Sequence, residues 1–379
     1  MSKRRGNGDG SFYQRGDGRW TGALSYTADD GRRRRHIVYG RTKTEVRDKV
    51  KAVRARLDAG APVRDARATL GAVAERWIVT SLAASDRKAT TRDNYATVAR
   101  THIVADPIGA LPLDRLRPSD VEAMLARKRA AGLAASTRRT IYTVLRAVLD
   151  CAVRDGLVAR NAAAAVKRPT ADRREARYLS RDEVHRLLAA AAGDRLLPLF
   201  LLLLGTGLRR GEGLALRWSD VDLEGGHAQV RGTLSRVAAG LVVTEPKTER
   251  SRRAVPLPAS VVAALRQHRA RQVQERLRAG TAWVDTGLVF TTELGTPLDP
   301  RNALRSLTGA ARRAGLSGVG LHTLRHTAAS ALIGSDVHMR VVQELLGHSS
   351  YAITADVYAH VAPAQQRDAA ERLAAAYGW

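Results

Sequence analysis

Apolar and polar positions alternate with period two along residues 20–27, where Trp20, Leu24 and Tyr26 fall on one side of an extended chain. Runs at 11–15 and 33–41 flank it. The dipeptides Asp9-Gly10, Asp17-Gly18 and Asp30-Gly31 punctuate the series, and Asp-Gly accepts the positive φ of tight hairpin turns. The period then changes: from 44 to 59, Val46, Val50, Val53 and Leu57 recur at helical spacing. Residues 1–62 therefore predict a three-stranded antiparallel sheet backed by one helix, with Gly60-Ala61-Pro62 leading into a linker. The glycines of Gly6-Asn7-Gly8-Asp9-Gly10 precede a strand and open no helix, which argues against a dinucleotide loop.

Residues 66–168 read as a helical domain. Leu70, Val73, Ala74, Trp77 and Ile78 form one stripe. Thr91, Tyr95, Val98 and His102 form a second, stopped near Asp106-Pro107. Pro118-Ser119-Asp120-Val121-Glu122 predicts a helix start, with Ser119 as the cap and Glu122 completing a capping box. A fourth helix spans about 136–154, with Ile141, Leu145, Val148 and Leu149 inward and Gly156 closing it. Arg127, Lys128, Arg129, Arg138 and Arg139 lie on polar faces, where solubility alone accounts for charge. Arg138 and Arg139, however, open a helix, where the backbone dipole disfavours cations; a phosphate partner would explain them. The basic, nearly apolar-free stretch around 169–177 reads as an interdomain linker.

The third domain, 178–379, opens at Ser180-Arg181-Asp182-Glu183, a second capping box. Residues 195–204 are apolar nearly all round and predict a buried helix ending at Gly205-Thr206-Gly207. A short helix carrying Arg209, Glu212 and Leu216 follows. Strand-like runs lie at 228–234, 241–244 and 253–257, with Lys247 on a hairpin between the last two. A long basic helix over 260–278, a short strand at 288–291 and further helices complete the chain. The fold class is mainly α with small β elements (α+β): a three-stranded sheet plus helix, a helical domain, and a mixed α/β domain.

Charge narrows the functional field. The chain carries 63 Lys+Arg against 37 Asp+Glu, a net charge of +26 spread through every segment, which favours a polyanionic partner. A solvated, arginine-rich composition is the bland alternative. One cysteine, Cys151, excludes an internal disulfide and a thiolate metal cluster. The basic N-terminus lacks a following apolar run, and the longest apolar run, 196–204, is too short to span a membrane. These features predict a cytoplasmic, nucleoid-associated bacterial protein with no membrane role, no cofactor and no metal.

Breaking a phosphodiester without a metal requires a nucleophile, a proton acceptor, fixed cations for the non-bridging oxygens and an acid for the leaving oxygen. Candidates for each are present. Tyr358 is a candidate nucleophile that nearby arginines would help to ionise; taken alone it reads as core packing, and Tyr351 and Tyr178 rival it. Arg209, beside an apolar segment, needs an anionic partner: a phosphate, or simply Glu212 three residues on. His322 and Arg325 share a helix face and suit a phosphate, the arginine with its planar fork. His348 follows Gly347 at a helix end, and Lys247 on a loop reads as solvated or as mobile chemistry.

Together, Thr206-Gly207-Leu208-Arg209-Arg210-Gly211-Glu212, Pro246-Lys247-Thr248 with Arg252 or Arg253 before Val255-Pro256-Leu257, His322-Thr323-Leu324-Arg325-His326-Thr327, Leu345-Leu346-Gly347-His348-Ser349-Ser350 and Asp356-Val357-Tyr358-Ala359-His360-Val361 resemble the tyrosine recombinases, specifically phage-type integrases. The resemblance runs through 70–370 in domain order and is most specific over 178–362. It implies that Arg209 and Arg325 clamp the scissile phosphate and that His348 adds a hydrogen bond. It implies that His322 accepts the tyrosine proton, Lys247 protonates the 5′ oxygen, and Tyr358 forms a 3′-phosphotyrosyl link. Glu212 would support the site from behind. Residues 1–62 look like an arm-type DNA-binding domain, with Arg33, Arg34 and Arg35 on a sheet that could enter a major groove, and 66–168 like a helical (SAM-like) core-binding domain. The implied partners are double-stranded DNA attachment sites, a homotetramer on paired sites, and a DNA-bending accessory protein or excisionase. The implied activity is integration or excision of a mobile element. A catalytically silent DNA-binding regulator and a type IB topoisomerase-like relaxer are the alternatives.

Overall fold

The computed structural model describes residues 11–27, 33–58, 68–158, 160–170, 177–245, 252–335, 337–347 and 377. By internal contacts the chain separates into two units, Met1–Arg173 and Arg174–Trp379. No helix among the described residues is long and apolar enough to cross a membrane.

In the first unit, β1 (Ser11–Gln14), β2 (Trp20–Thr27) and β3 (Arg33–Gly40) form an antiparallel sheet in sequence order. Helix α1 (Lys43–Asp58) lies on one face. Gly22 permits that contact: a Cβ there would stand 2.6 Å from Val46 and 2.8 Å from Val50. The register pairs Arg33 with Thr27, Arg34 with Tyr26 and Arg35 with Ser25, so these arginines open β3 as part of the sheet. Arg32 and the Gly60-Ala61-Pro62 linker lie outside the described residues.

The helical segment begins with α2 (Leu70–Trp77), continued as a π-helical turn over Ile78–Leu82. Next come α3 (Ala89–Ala99), α4 (Pro118–Ala130) and α5 (Ala135–Arg154). Of the stripes named from sequence, Leu70, Ile141, Leu145 and Val148 are fully buried; of the second, Val98 joins the core with Tyr95 packed against it, while Thr91 and His102 stay half-buried outside it. One cap differs from expectation. Pro118, with no N–H to lose, takes the first helical position, and the Asp120 carboxylate accepts the Arg117 N–H at 2.8 Å. Ser119 therefore sits inside the first turn instead of capping it.

The second unit starts with α6 (Arg181–Ala190), capped as predicted: Ser180 Oγ accepts the Glu183 N–H at 3.2 Å, and the Glu183 carboxylate accepts the Ser180 N–H at 3.0 Å. Helix α7 (Leu197–Thr206) is the centre of the core. It packs against α9 (Ala259–Ala279) and α11 (Leu321–Gly334). Between α7 and α9 come α8 (Arg210–Ala215), β4 (Val221–Asp222), β5 (His227–Val230), β6 (Thr233–Val237), β7 (Gly240–Thr244) and β8 (Arg253–Pro256). Helices α10 (Pro300–Arg313) and α12 (Met339–Leu346) complete the described part.

The strands pair differently from the sequence expectation. β7 pairs with β6, while β8 pairs with β5 in the sheet β4-β5-β8. β7 and β8 therefore do not pair as a hairpin, and residues 246–251 between them, Lys247 included, lie outside the described residues. Residues 288–291 form isolated bridges, Leu288 with Arg217 and Thr291 with Pro297, and no strand.

Candidate active site

Helix α7 ends because Gly207 adopts φ 63°, left-handed. The reversal is tight: a Cβ on Gly207 would collide with Leu346. It delivers Arg209 to the N-cap of α8, two residues on. Glu212, one turn into α8, is 5% exposed and binds that arginine doubly, through Nη1 at 2.7 Å and the backbone N–H at 3.0 Å. The structural pairing of Arg209 with Glu212 therefore exists, but it leaves the other end of the guanidinium for Gly347, whose carbonyl accepts Nη2 at 2.7 Å.

Arg325 is on the buried face of α11, 6% exposed. Its Nη1 donates to the Gly207 carbonyl at 2.7 Å and its Nη2 to the Leu346 carbonyl at 2.8 Å. Burial and the charge of Arg209 push its pKa down to about 9, against the pull of Glu212. It remains a cation at neutral pH.

A third arginine completes the group. Arg253 opens β8, and its side chain is 8% exposed. Nη2 donates to Glu212 at 3.0 Å and Nε to the Leu345 carbonyl at 2.9 Å. Three consecutive carbonyls, Leu345, Leu346 and Gly347, thus each accept one arginine. The last turn of a helix has orphan carbonyls and a partial negative charge, so it is a natural anchor for cations. From sequence alone Arg253 stands out only as part of the string before Val255. The signal available was a charged residue entering a short strand whose inward positions are otherwise apolar.

Burial tends to raise the Glu212 pKa, but the charge and hydrogen bond of Arg253, with the bonds from Arg209, outweigh it and hold the carboxyl below its usual range. Three guanidinium groups around one carboxylate leave two positive charges uncompensated among these four side chains. A phosphate fits that surplus, since desolvated cations without an anion are costly.

His322, in the first turn of α11, stays exposed. Partial desolvation, then the charges of Arg210, His326, Arg325 and Arg209, lower its pKa. It is therefore neutral at pH 7 and able to take a proton. The structure thus brings Arg209, Glu212 and Arg325 together, with His322 under the influence of the same arginines. Lys247, His348 and Tyr358, and the rival Tyr351, lie outside the described residues; the rival Tyr178 is described and exposed.

In the first unit, Arg33 and Arg35 are exposed on β3. Tyr13, Ile37 and Tyr39 are exposed too, and Arg15 lies over the Tyr39 ring at 5.9 Å. Arg138 and Arg139 fall in the opening turns of α5, and the buried Nε of Arg138 has no hydrogen-bond partner.

The family model described as "Phage integrase family" matches residues 177–365. A tyrosine recombinase XerC-like protein of Caldanaerobacter subterraneus subsp. tengcongensis is 32% identical over 366 residues, covering 91% of this chain and 93% of that protein. The chain belongs to the phage integrase family of tyrosine recombinases. It is a site-specific DNA recombinase, an enzyme of strand cleavage and rejoining. An integrase of Streptomyces ambofaciens is 30% identical, covering 94% of both chains. The fold agrees: the Tn1549 transposon integrase in complex with transposon right end DNA superposes with a TM-score of 0.65 at 22% identity, over 81% of this chain and 99% of that one.

Proposed function

We propose that this recombinase integrates or excises a mobile element by way of a covalent 3′-phosphotyrosyl intermediate at Tyr358. The observation that carries the reading is the surplus of positive charge where Arg209, Arg253 and Arg325 meet Glu212 and the end of α12. Arg209 and Arg325 hold the non-bridging oxygens of the scissile phosphate, and His348, next in sequence after Gly347, adds a hydrogen bond. The phenolic oxygen of Tyr358 attacks phosphorus and gives its proton to His322, which is neutral at pH 7. The bond from phosphorus to the 5′ oxygen breaks, and Lys247 protonates that oxygen. One ester replaces another, so attack by a new 5′ hydroxyl reverses the step without ATP. Glu212 holds Arg209 from behind.

The domain roles follow the same reading. Residues 1–62 are an arm-type DNA-binding domain that uses Arg33, Arg34 and Arg35. Residues 66–168 are a core-binding domain, with Arg138 and Arg139 at phosphates. Residues 169–177 link it to the catalytic domain, 178–379, whose tail docks on a neighbouring protomer. Of the linker, 171–176, and of the tail, 363–376 and 378–379, lie outside the described residues. Exchange between two duplexes cuts four strands, one per tyrosine, hence a homotetramer on paired attachment sites, working on the bacterial chromosome with a DNA-bending protein or excisionase as helper.

A nicked suicide duplex carrying the attachment site tests the chemistry. Wild-type protein is expected to form a gel-stable covalent adduct and Tyr358→Phe none. Site binding without an adduct from the wild type would instead identify a regulator, and relaxation of plasmids lacking any site a topoisomerase.

A further inference from the structure

We propose that Arg253 is a positioning residue for strand cleavage: it fixes where the Arg209 guanidinium and the end of α12 stand, without itself touching DNA. The inference rests on the recombinase reading given above. Arg253 sits opposite Val230 of β5 in the sheet register. Its Nη2 holds one oxygen of Glu212 at 3.0 Å, and its Nε holds the Leu345 carbonyl at 2.9 Å. The other oxygen of Glu212 takes Nη1 of Arg209 at 2.7 Å, and Nη2 of Arg209 reaches Gly347 at 2.7 Å. The bonds close a ring through Arg253, Glu212, Arg209 and the last turn of α12. Within it Arg209 is the member open to solvent, with its side chain 36% exposed against 8% for Arg253 and 5% for Glu212.

That asymmetry gives Arg253 its role. A buried carboxylate facing a single guanidinium draws it into a bidentate pair. Arg253 occupies one carboxylate oxygen, so Arg209 meets Glu212 through Nη1 and its own backbone and keeps Nη2 directed at Gly347. Arg253 also tethers α12 at a place where only glycine fits: Gly347 has φ +65°, and a Cβ there would stand 2.8 Å from Nη1 of Arg253. Removing Arg253 would free Glu212 to pull Arg209 inward and would loosen the helix end that three arginines share.

The test compares wild type, Arg253→Met and Arg253→Lys on two suicide duplexes. One has an ordinary scissile phosphate; the other has a methylphosphonate, which lacks one non-bridging negative charge and so asks less of the clamp. Adduct formation is timed at saturating DNA, and binding is measured separately. Arg253→Met is expected to slow cleavage of the phosphodiester by about 10²-fold, the scale of one lost transition-state donor, with binding nearly unchanged. Its deficit on the methylphosphonate should be smaller by about tenfold or more. Arg253→Lys offers one nitrogen in place of two and should show the same pattern more weakly; it carries the test if the Met variant fails to fold. Equal slowing on both duplexes, or no slowing, overturns the inference. No adduct from the wild type would instead sink the recombinase chemistry itself.

Discussion

His322 stands at the head of α11, where partial desolvation first, and then the charges of Arg210, Arg325 and Arg209 with the His326 ring, set a pH dependence. Its pKa is lowered from the usual 6.5, so the imidazole is neutral at pH 7 and becomes protonated only as pH falls through a value below 6.5. A base is lost on protonation. Adduct formation at limiting DNA, which reports the free enzyme, should therefore hold steady from neutral pH down and decline only below 6.5. His322→Ala should lower the plateau and remove that limb; an inflection above 6.5 in the wild type would contradict the assignment. At this scale much was legible. His322 and Arg325 share a helix face by spacing, and Glu212 lies three residues from Arg209, so their pairing is local. Arg253 was not legible as a buried partner, because Glu212 is 41 residues away in sequence. The one local difference from Arg252, which is largely exposed and pairs with Glu245, is that Arg253 alternates with the buried Val255 and Leu257.

Caps and turns decide the elements. The Ser180 box of α6 was read correctly because both of its hydrogen bonds join residues three apart. Ser180→Ala removes the acceptor for the Glu183 N–H and should cost about 1 kcal/mol. In a unit of this size that lowers the melting temperature by roughly 2–4 °C, measurable by calorimetry on the full chain; an unchanged melt would mean that water replaces the hydroxyl at no cost. The α4 cap differs from expectation, since two residue patterns compete within one turn and proline takes the first position. By sequence order β7 and β8, on either side of Lys247, would pair as a hairpin, and they do not. Strands adjacent in sequence usually pair, but β7 pairs with β6 across the turn at Ala238-Ala239, and β8 joins β5. Residues 288–291 look like a strand because Leu288, Val289 and Phe290 are apolar and β-favouring. Their carbonyls instead receive side chains of α9: His268 and Gln272 bond to Val289, and Gln272 to Leu288.

For the whole molecule, charge dominates. With a net charge of +26, association with DNA should release many counterions, so affinity should fall steeply with salt. Between 50 and 200 mM salt a loss of about 10³-fold or more is expected, read as the slope of log affinity against log salt concentration. A flat response would mean that phosphate contacts do not carry binding.

The sequence by itself determined most of the helices, through hydrophobic period, cap and turn residues; the family, through strings that keep their order; and the class of partner, through charge. These are settled by neighbours along the chain or by sums over it. The tertiary structure alone decided how the arginines are used. The carbonyls of Leu345, Leu346 and Gly347 each meet a guanidinium from a different element, and Glu212 bridges two of them. A buried charge is stable only beside compensating partners; Arg209 finds Glu212 three residues on, but Arg253 and Arg325 meet theirs from distant segments, and that arrival is a property of the packed fold.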